Sequence, residues 1–352
     1  MAQPPLLDRS PAGTPIAVVD IGSNSVRLVV YDSLGRSPTP IFNEKVAAGL
    51  GRIVASTGRL GEEAIVRTLA AMGRFRAILN ILGVERVRAL ATAACREASN
   101  GPEFLIKASS LLGARIEVLS GDEEAKLAAG GILMGFSSPD GFAGDLGGGS
   151  LEIIDITGSK LNHAISLPLG GLRLIDETKG NIDKVADITD NALKRVPWIG
   201  RGQGRTYYAV GGTWRSFAKL HMAETDYPLR VMQAYRIPVA EALDFAERVR
   251  KSKKLQGFKG ASDISKPRRE TLPVGAMVIE RVLKAMKPSE VVFSVFGIRE
   301  GLLYTLLPPA VQAQDPLIAF ATEYARTRSR SLTHAQELVA WTDQLFTPQG
   351  VK

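Results

Sequence analysis

Two stretches of the sequence, DIGSNSVRLVV at residues 20–30 and DLGGGSLEIID at residues 145–155, decide the fold. In each, a small loop of Gly, Ser or Asn separates two runs of β-type residues, which is the pattern of strand, tight loop and strand. Asp, Gly and Ser recur at the same spacing in both stretches. We therefore predict a duplication: two similar domains that face each other across a cleft, each contributing one polar loop.

The segments outside these loops predict a mixed α/β chain with two domains and a tail. We place the first domain at residues 14–135, the second at 136–308 and a helical C-terminal extension at 309–352, where apolar residues recur at helical spacing. The predicted helices before that extension span residues 62–82, 104–112, 121–135, 213–221, 240–249, 272–286 and 299–307.

The composition excludes several classes of protein. Charged residues make up 23% of the 352 residues and apolar residues 45%, an ordinary globular balance. Cys95 is the single cysteine, so an internal disulfide or a Cys-rich zinc site is impossible, and the three histidines lie far apart in sequence. No signal peptide or membrane-spanning run is recognisable, which predicts a cytoplasmic protein without membrane contacts.

The positive charge of the chain is concentrated in one stretch. The net charge is +8, yet residues 194–270 alone hold 17 Lys or Arg against 7 Asp or Glu. A focused positive field attracts polyanions, and we expect Arg250, Lys251, Lys253 and Lys254 to hold the distal part of a polyphosphate chain. The alternative is a solvated basic face. Nucleic acid would also be attracted, but aromatic residues are only 6% and no RNA-binding aromatic motif is present.

The two polar loops have the composition of phosphate-binding loops. Glycines allow backbone N–H groups to approach an anion, and short Ser and Asn side chains add donors. The candidate phosphate ligands are Ser23, Asn24, Ser25, Gly147, Gly148, Gly149 and Ser150. Asp20 and Asp145 would repel phosphate directly, and their presence is reasonable if they hold a metal ion. Two hairpin turns with Asx-type caps are the structural alternative.

Two glutamates lie close to these loops in sequence. Glu152 follows Ser150 by two residues and therefore points to the same side of a strand, where it can reach the same site. Glu123 belongs to the segment SGDEEA, in which Ser120 and Glu123 have the spacing of a helix capping box. The spacing alone favours the capping role for Glu123.

Six ordered motifs resemble one known family. They are VVDIGSNSVRLVVYD at 18–32, ATAACREASN at 91–100, LSGDEEAKLA at 119–128, GDLGGGSLEI at 144–153, AVGGTWR at 209–215 and FGIREGLL at 296–303. Together they are similar to the exopolyphosphatase / guanosine pentaphosphate phosphohydrolase family, over roughly residues 14–308. The resemblance implies an α/β fold with two ribonuclease-H-like domains of the actin-like ATPase superfamily around a central cleft.

The resemblance also implies residue roles. It makes Glu123 the catalytic carboxylate and Glu152 the glutamate that follows the second loop. From the chemistry of the residues, we expect Glu152 and Asp145 to assist catalysis and Asp20, Asp145 or Glu152 to hold Mg²⁺ through water, with a monovalent cation such as K⁺ as a possible second ion. Arg96 is expected to face the cleft, and Gly211, Gly212 and Thr213 to lie near the distal phosphates. Longer members carry a third, HD-type domain. This sequence has no His-Asp dipeptide and resembles a short, two-domain member.

The expected activity is therefore release of terminal orthophosphate from inorganic polyphosphate by metal-assisted attack of water. The first alternative is the same chemistry on guanosine pentaphosphate (pppGpp). Less favoured are an actin-like small-molecule kinase and a non-enzymatic nucleic-acid-binding protein. The resemblance also implies a homodimer.

Overall fold

The first of two β-sheets is built from the N-terminal part of the chain. The computed structural model describes residues 13–252 and 255–343. The sheet has the order β3-β2-β1-β4-β5, in which β1, β2 and β3 are antiparallel neighbours and β4 and β5 run parallel to β1. Its strands are β1 (Ile16–Ile21), β2 (Val26–Tyr31), β3 (Pro40–Val46), β4 (Arg86–Ala91) and β5 (Ile116–Val118).

The second sheet repeats this topology. Its order is β8-β7-β6-β9-β11-β10, so that β6, β7, β8, β9 and β11 correspond to β1 to β5, and β10 is an additional antiparallel edge strand. Its strands are β6 (Asp140–Leu146), β7 (Leu151–Thr157), β8 (Lys160–Leu167), β9 (Thr206–Val210), β10 (Tyr235–Pro238) and β11 (Glu290–Phe293). The two α/β domains predicted from the repeated loops are confirmed.

Helices cover the sheets and connect their parallel strands. The described residues form α1 (Val54–Thr57), α2 (Glu62–Ile81), α3 (Ala93–Glu97), α4 (Gly101–Leu112), α5 (Gly121–Gly135), α6 (Gly171–Thr178), α7 (Ile182–Leu193), α8 (Gly212–Glu224), α9 (Val239–Lys251), α10 (Lys266–Met286), α11 (Ile298–Thr305), α12 (Pro309–Gln312), α13 (Pro316–Arg328) and α14 (Leu332–Thr342). No helix in these residues combines the length and the apolar character needed to cross a bilayer.

Helices α5 and α11 cross between the sheets and tie them together. The alanine face of α5 packs on the second sheet, whereas Leu302 and Leu303 of α11 pack on the first. The helices approach closely because glycines meet at the crossing: a Cβ on Gly131 would lie 2.8 Å from the Cα of Gly297. The proposed boundary at residues 135/136 separates the strands of the two sheets and stays a prediction for the domains.

The C-terminal extension is helical, as predicted, and is fastened to the first domain by one buried arginine. Arg36 donates hydrogen bonds to the carbonyl oxygens of Met134 at 2.7 Å, Leu133 at 2.8 Å and Gln314 at 2.9 Å. It thereby joins the end of α5 to the start of the tail. The part of the predicted tail beyond residue 343 lies outside the described residues.

Several elements differ from the sequence prediction for local reasons. Strand β3 was not predicted because it begins at a proline and lies half exposed at the sheet edge. Helix α10 begins at Lys266, six residues before the predicted start, and continues through Pro273. The predicted start at Leu272 lies directly before this proline, because proline is common in the first turn of a helix.

Candidate active site

The two polar loops meet at the centre of the molecule. Each is closed by a hydrogen bond from the glycine amide to the serine carbonyl, at 3.1 Å for Gly22–Ser25 and 3.0 Å for Gly147–Ser150. A Cβ added to Gly148 would lie 2.8 Å from the Cβ of Ser23. Because real Cβ atoms do not approach so closely, only glycine lets the second loop rest against the first.

A pocket of about 140 Å³ opens where the loops meet. That volume is well above the roughly 10–15 Å³ that holds one water molecule, so the pocket can admit a phosphoryl group with solvent. Of the predicted site residues, the pocket is lined by Asp20, Ser23, Asn24, Ser25, Asp145, Gly147, Gly148, Gly149, Ser150, Glu152, Gly211 and Gly212. These residues come from both halves of the chain.

Three buried carboxylates form one side of the pocket. Glu152 lies opposite Asp145 in the register of β6 and β7 and accepts a hydrogen bond from the hydroxyl of Ser166 at 2.7 Å. Burial raises the pKa of Asp145 to about 6. Burial and the nearby charges of Glu124 and Asp145 raise the pKa of Glu152 well above its ordinary value. These buried carboxylates therefore keep their protons to a higher pH than exposed carboxylates do.

The third carboxylate is Glu124, and the expectation for its neighbour Glu123 has to be corrected. Glu123 is exposed at the start of α5, where its carboxylate accepts hydrogen bonds from the amide of Ser120 at 2.7 Å and its hydroxyl at 2.8 Å. This is the capping box. Consecutive helix residues point about 100° apart, so Glu123 caps the helix while Glu124 is buried and lines the pocket.

Arg96 acts on the pocket through Glu124. Its guanidinium forms an ion pair with the Glu124 carboxylate and also donates to the carbonyl oxygen of Leu119. Burial raises the pKa of Glu124 to about 7, an effect that the Arg96 charge opposes and the charges of Asp145 and Asp20 reinforce. Arg96 is thus positioned behind the carboxylate and does not line the pocket itself.

Five cations on the other sides of the pocket were not identified from the sequence. They are Arg27, Lys45, Arg215, Arg268 and Arg299. They lie as far as 272 residues apart in the chain, and no local pattern groups them. Two of them, Arg215 and Arg299, belong to the motifs AVGGTWR and FGIREGLL. Membership of these motifs was the one feature of the sequence that could have identified them as site residues.

Most of these cations have neutral partners. Arg27 donates to the side-chain oxygen of Asn43 at 2.7 Å, Arg215 to the carbonyl oxygen of Val295 at 2.9 Å, and Arg268 to the hydroxyl of Thr213 at 3.0 Å. Partial loss of hydration and the charges of Arg268, Arg215, Arg27 and Arg299 together lower the pKa of Lys45 to about 8, although Lys45 is partly exposed on the edge strand β3. Such a group of desolvated cations attracts an anion.

Arg299 differs because it holds a carboxylate. It donates to Asp20 at 2.9 Å, and Asp20 is thereby paired with a cation across the two halves of the chain. Burial would lower the pKa of Arg299, but the carboxylates of Glu300 and Asp20 outweigh burial and raise it. This pairing engages one carboxylate oxygen of Asp20.

The duplicated sheets have diverged at equivalent positions. In the first sheet, Asp20 is followed across the strands by Arg27 and then Lys45. In the second, Asp145 is followed at the same register by Glu152 and then Ser166. At these equivalent strand positions the first sheet therefore supplies two cations to the pocket, whereas the second supplies a carboxylate and a hydroxyl.

The glycine pair after β9 completes the pocket. Gly211 has a φ of 103°, and a Cβ there would lie 3.0 Å from a carboxylate oxygen of Asp145, so the position requires glycine. Gly212 lines the pocket beside it. Thr213 is buried behind the pocket, where it accepts the hydrogen bond from Arg268.

The predicted basic grip stays a prediction, although two of its residues have acidic partners. Arg250 pairs with Glu280, and Lys251 pairs with Glu247. Glu280 lies twelve residues after Arg268 on α10, which is about 18 Å along the helix at 1.5 Å per residue. Acidic residues of α9 and α10 therefore pair with these two side chains. Neither of the two side chains lines the pocket. Lys253 and Lys254 lie outside the described residues.

Comparisons with known proteins agree with this arrangement. The chain is 28% identical to Exopolyphosphatase 1 of Mycobacterium leprae over 302 residues, which cover 82% of this chain and 88% of that protein. It is 26% identical to Retrograde regulation protein 2 of Saccharomyces cerevisiae over 88% of this chain, but spans only 58% of that longer protein.

Solved structures show the same fold. An exopolyphosphatase from Cytophaga hutchinsonii matches with a TM-score of 0.74 and 25% identity, over 83% of this chain and 97% of that one. A Ppx/GppA family member from Aquifex aeolicus matches with a TM-score of 0.68 and 25% identity over the same shares of the chains. The pattern of the Ppx/GppA phosphatase family matches residues 29–310. From the paired loops, the shared fold and this match, the chain belongs to the Ppx/GppA phosphatase family.

Proposed function

We propose that the protein is an exopolyphosphatase, which hydrolyses the terminal phosphoanhydride bond of inorganic polyphosphate. The observation that carries the proposal is the charge division of the pocket: five cations face three buried carboxylates. Phosphoryl transfer needs mainly positioning and charge neutralisation of the phosphate oxygens, together with a group that orients the attacking water. Both requirements are met in this pocket.

The cations and loops serve the phosphates. Arg27, Arg215 and Arg268 have neutral partners, so their charge is available to the oxygens of two or more linked phosphates. The backbone amides and serine hydroxyls of the loops can hold the terminal group. No aromatic side chain is among the described residues that line the pocket, so no aromatic ring there can stack on a guanine base. This favours polyphosphate over pppGpp.

Glu124 is the residue that we assign to the attacking water. Its pKa of about 7 is close to neutral, which suits a group that must accept a proton and later release it. The water oxygen bonds to the terminal phosphorus while the bridging P–O bond breaks, and the water proton passes to Glu124. The shortened chain leaves with the bridging oxygen as an anion.

The carboxylates fit a divalent metal that shares its coordination with substrate. Among the described residues, no group of three or more Asp, Glu, His or Cys side chains could hold a metal alone. Mg²⁺ usually binds through one or two carboxylates together with water and phosphate oxygens. Asp145 and Glu152 are the residues that would hold it. They lie opposite each other in the strand register, and burial raises the pKa of both. When bound, the ion offsets the negative charge of the phosphoryl group.

Other expectations from the sequence analysis stay predictions. These are the additional K⁺ ion, the cytoplasmic location and the homodimer. The metal set proposed here omits Asp20, because Arg299 already neutralises it.

The substrate assignment is tested by comparing two compounds. Phosphate release from long-chain polyphosphate is measured beside release from pppGpp at equal concentrations of terminal phosphate. We expect a larger kcat/KM for polyphosphate, because the pocket offers several cations to linked phosphates and no aromatic ring to the guanine base. A larger kcat/KM for pppGpp would assign the pocket to the nucleotide.

A further inference from the structure

The amine of Lys45 lies unpaired at the pocket. Lys45 is exposed on the edge strand β3, and among the described residues it is the one lysine that lines the pocket. No hydrogen bond or ion pair of the described residues involves its amine, whereas Lys107 and Lys251 pair with Glu103 and Glu247. The amine is therefore accessible to a reagent that enters the pocket from solution.

Two guanidinium groups flank this amine. Arg27 lies directly opposite Lys45 in the register of β2 and β3, so the two side chains share one side of the sheet and their Cβ atoms are about 5 Å apart. After partial loss of hydration, the charge of Arg268 is the largest influence that lowers the pKa of Lys45. Arg27 and Arg268 each donate one described hydrogen bond, to Asn43 and Thr213, and a guanidinium has five N–H groups. The remaining donors can hold a phosphate group beside the amine.

The same cations keep part of the Lys45 amine neutral. Partial loss of hydration and four neighbouring arginines lower its pKa to about 8, so about half of the molecules carry the neutral amine at about pH 8. A lysine with the ordinary pKa of about 10.4 is neutral in less than about 1% of molecules at that pH. Only the neutral amine has the lone pair with which a lysine attacks a carbonyl carbon.

We propose that Lys45 is a site of acylation by acyl phosphates, the mixed anhydrides of a carboxylic acid and phosphate. Arg27 and Arg268 hold the phosphate half of the reagent, which places the carbonyl half next to the amine. The amine nitrogen bonds to the carbonyl carbon while the C–O bond to the phosphate breaks. Orthophosphate leaves with the electron pair of that bond, and the amine proton passes to water. The product is an Nε-acyl-lysine without charge.

Acylation should weaken the binding of a polyanion. It removes the charge of one of the five cations that line the pocket, and it leaves the other four in place. A metabolic acyl phosphate would in this way lower the affinity of the protein for polyphosphate. This consequence rests on the proposed function, whereas the acylation itself requires only that the pocket binds phosphate.

The proposal is tested on the full chain with acetyl phosphate at about pH 8 in the presence of EDTA, with acetylation at each lysine followed by mass spectrometry. Lys160 is the internal control, because it is an exposed lysine on β8, the strand that corresponds to β3, and it does not line the pocket. Acetic anhydride, which carries no phosphate, measures the intrinsic reactivity of both amines. We expect the ratio of the Lys45 rate to the Lys160 rate to be about tenfold or more larger with acetyl phosphate, because only that reagent is positioned by the pocket.

Competition by an anion tests whether the pocket guides the reagent. Tripolyphosphate should slow the acetylation of Lys45 by acetyl phosphate and leave that of Lys160 unchanged. Equal rate ratios for the two reagents, or acetylation of Lys45 that tripolyphosphate does not slow, would overturn the proposal, because Lys45 would then react without a bound phosphate group.

Activity after acetylation separates this proposal from the proposed function. Treatment with acetyl phosphate should lower kcat/KM for polyphosphate in the wild type, and it should not change the kcat/KM of Lys45→Arg, whose guanidinium keeps its charge and is not acylated. A wild type that shows the selective, competed acetylation but releases no phosphate from polyphosphate would support the acylation site and overturn the proposed function.

Discussion

Adjacent glutamates at the start of α5 have opposite environments, and this decides which of them can act on substrate. Glu123 is exposed, and the hydrogen bonds from the Ser120 amide and hydroxyl lower its pKa. Glu124 is buried beside Asp145 and Arg96, with a pKa raised to about 7. The capping spacing identified the role of Glu123 correctly. The motif resemblance assigned the catalytic role to Glu123, which does not line the pocket, because a motif does not show which side of a helix each residue occupies.

Because the buried carboxylates have raised pKa values, the free energy of unfolding should be lower at alkaline pH than at pH 5. Glu152 has a raised pKa in the folded protein, so the folded state binds its proton more tightly than the unfolded state does. The stability that this proton gives is present at pH 5 and is lost as pH rises through the folded pKa. Glu152→Gln cannot ionise and should be more stable than the wild type at pH 8 by about 1–3 kcal/mol, with little difference at pH 5. Urea unfolding at both pH values without metal measures this, and a less stable variant at pH 8 would contradict it.

Lys45 and Glu124 together should give a narrow pH optimum. Glu124 must lose its proton to accept one from water, so kcat/KM rises as pH passes about 7. Lys45 loses its charge as pH passes about 8, which weakens attraction of the polyanion. Lys45→Arg keeps the charge and should move the falling limb to higher pH without moving the rising limb. The pH profile of kcat/KM for both proteins tests this, and an unchanged falling limb would remove Lys45 from substrate binding.

At the scale of elements, the crossing of α5 and α11 brings Glu124 and Arg299 to the same pocket. The crossing depends on glycine, since a Cβ on Gly131 would lie 2.8 Å from the Cα of Gly297. Gly131→Ala should therefore cost about 1–3 kcal/mol of stability through overpacking and should also lower activity. Gly73→Ala is the matched control: Gly73 lies in α2 with open space at its Cβ, and the change should stabilise by up to about 1 kcal/mol. Thermal unfolding of both variants decides, and equal shifts would contradict the crossing argument.

The elements also show what a sequence can and cannot predict. The loops at Asp20 and Asp145 were predictable because each is local and the pattern occurs twice. The side of α5 that Glu124 occupies could in principle be predicted, because the small residues Ala125 and Ala128 mark the side of the helix that is buried. That Arg27, Lys45 and Arg268 meet at one pocket could not be predicted from the sequence, because it depends on how the two sheets and α10 pack together. Helix α10 itself was started too late at its internal proline, which removed Arg268 from the predicted helix.

At the scale of the whole molecule, the positive stretch at residues 194–270 contributes to the pocket through fewer residues than its composition suggested. Arg215 and Arg268 reach the pocket, whereas Arg250 and Lys251 are paired with Glu280 and Glu247. We now expect R250Q/K251Q to hydrolyse long and short polyphosphate with nearly wild-type kcat/KM at low salt, and Arg268→Gln to lose about tenfold or more, as for a hydrogen-bonded charged contact. A loss confined to long chains in R250Q/K251Q would restore the distal grip.

The central claim is that a polyphosphate end is hydrolysed in this pocket with Glu124 as the group that accepts the water proton. The most direct measurement compares phosphate release by the wild type, Glu124→Gln and Glu123→Gln on the same polyphosphate at saturating Mg²⁺. The account predicts a loss of about 10² or more in kcat for Glu124→Gln, the usual size of a lost acid–base contribution. It predicts nearly full activity for Glu123→Gln, because glutamine also serves in a capping box. A large loss in Glu123→Gln with an active Glu124→Gln would contradict the account.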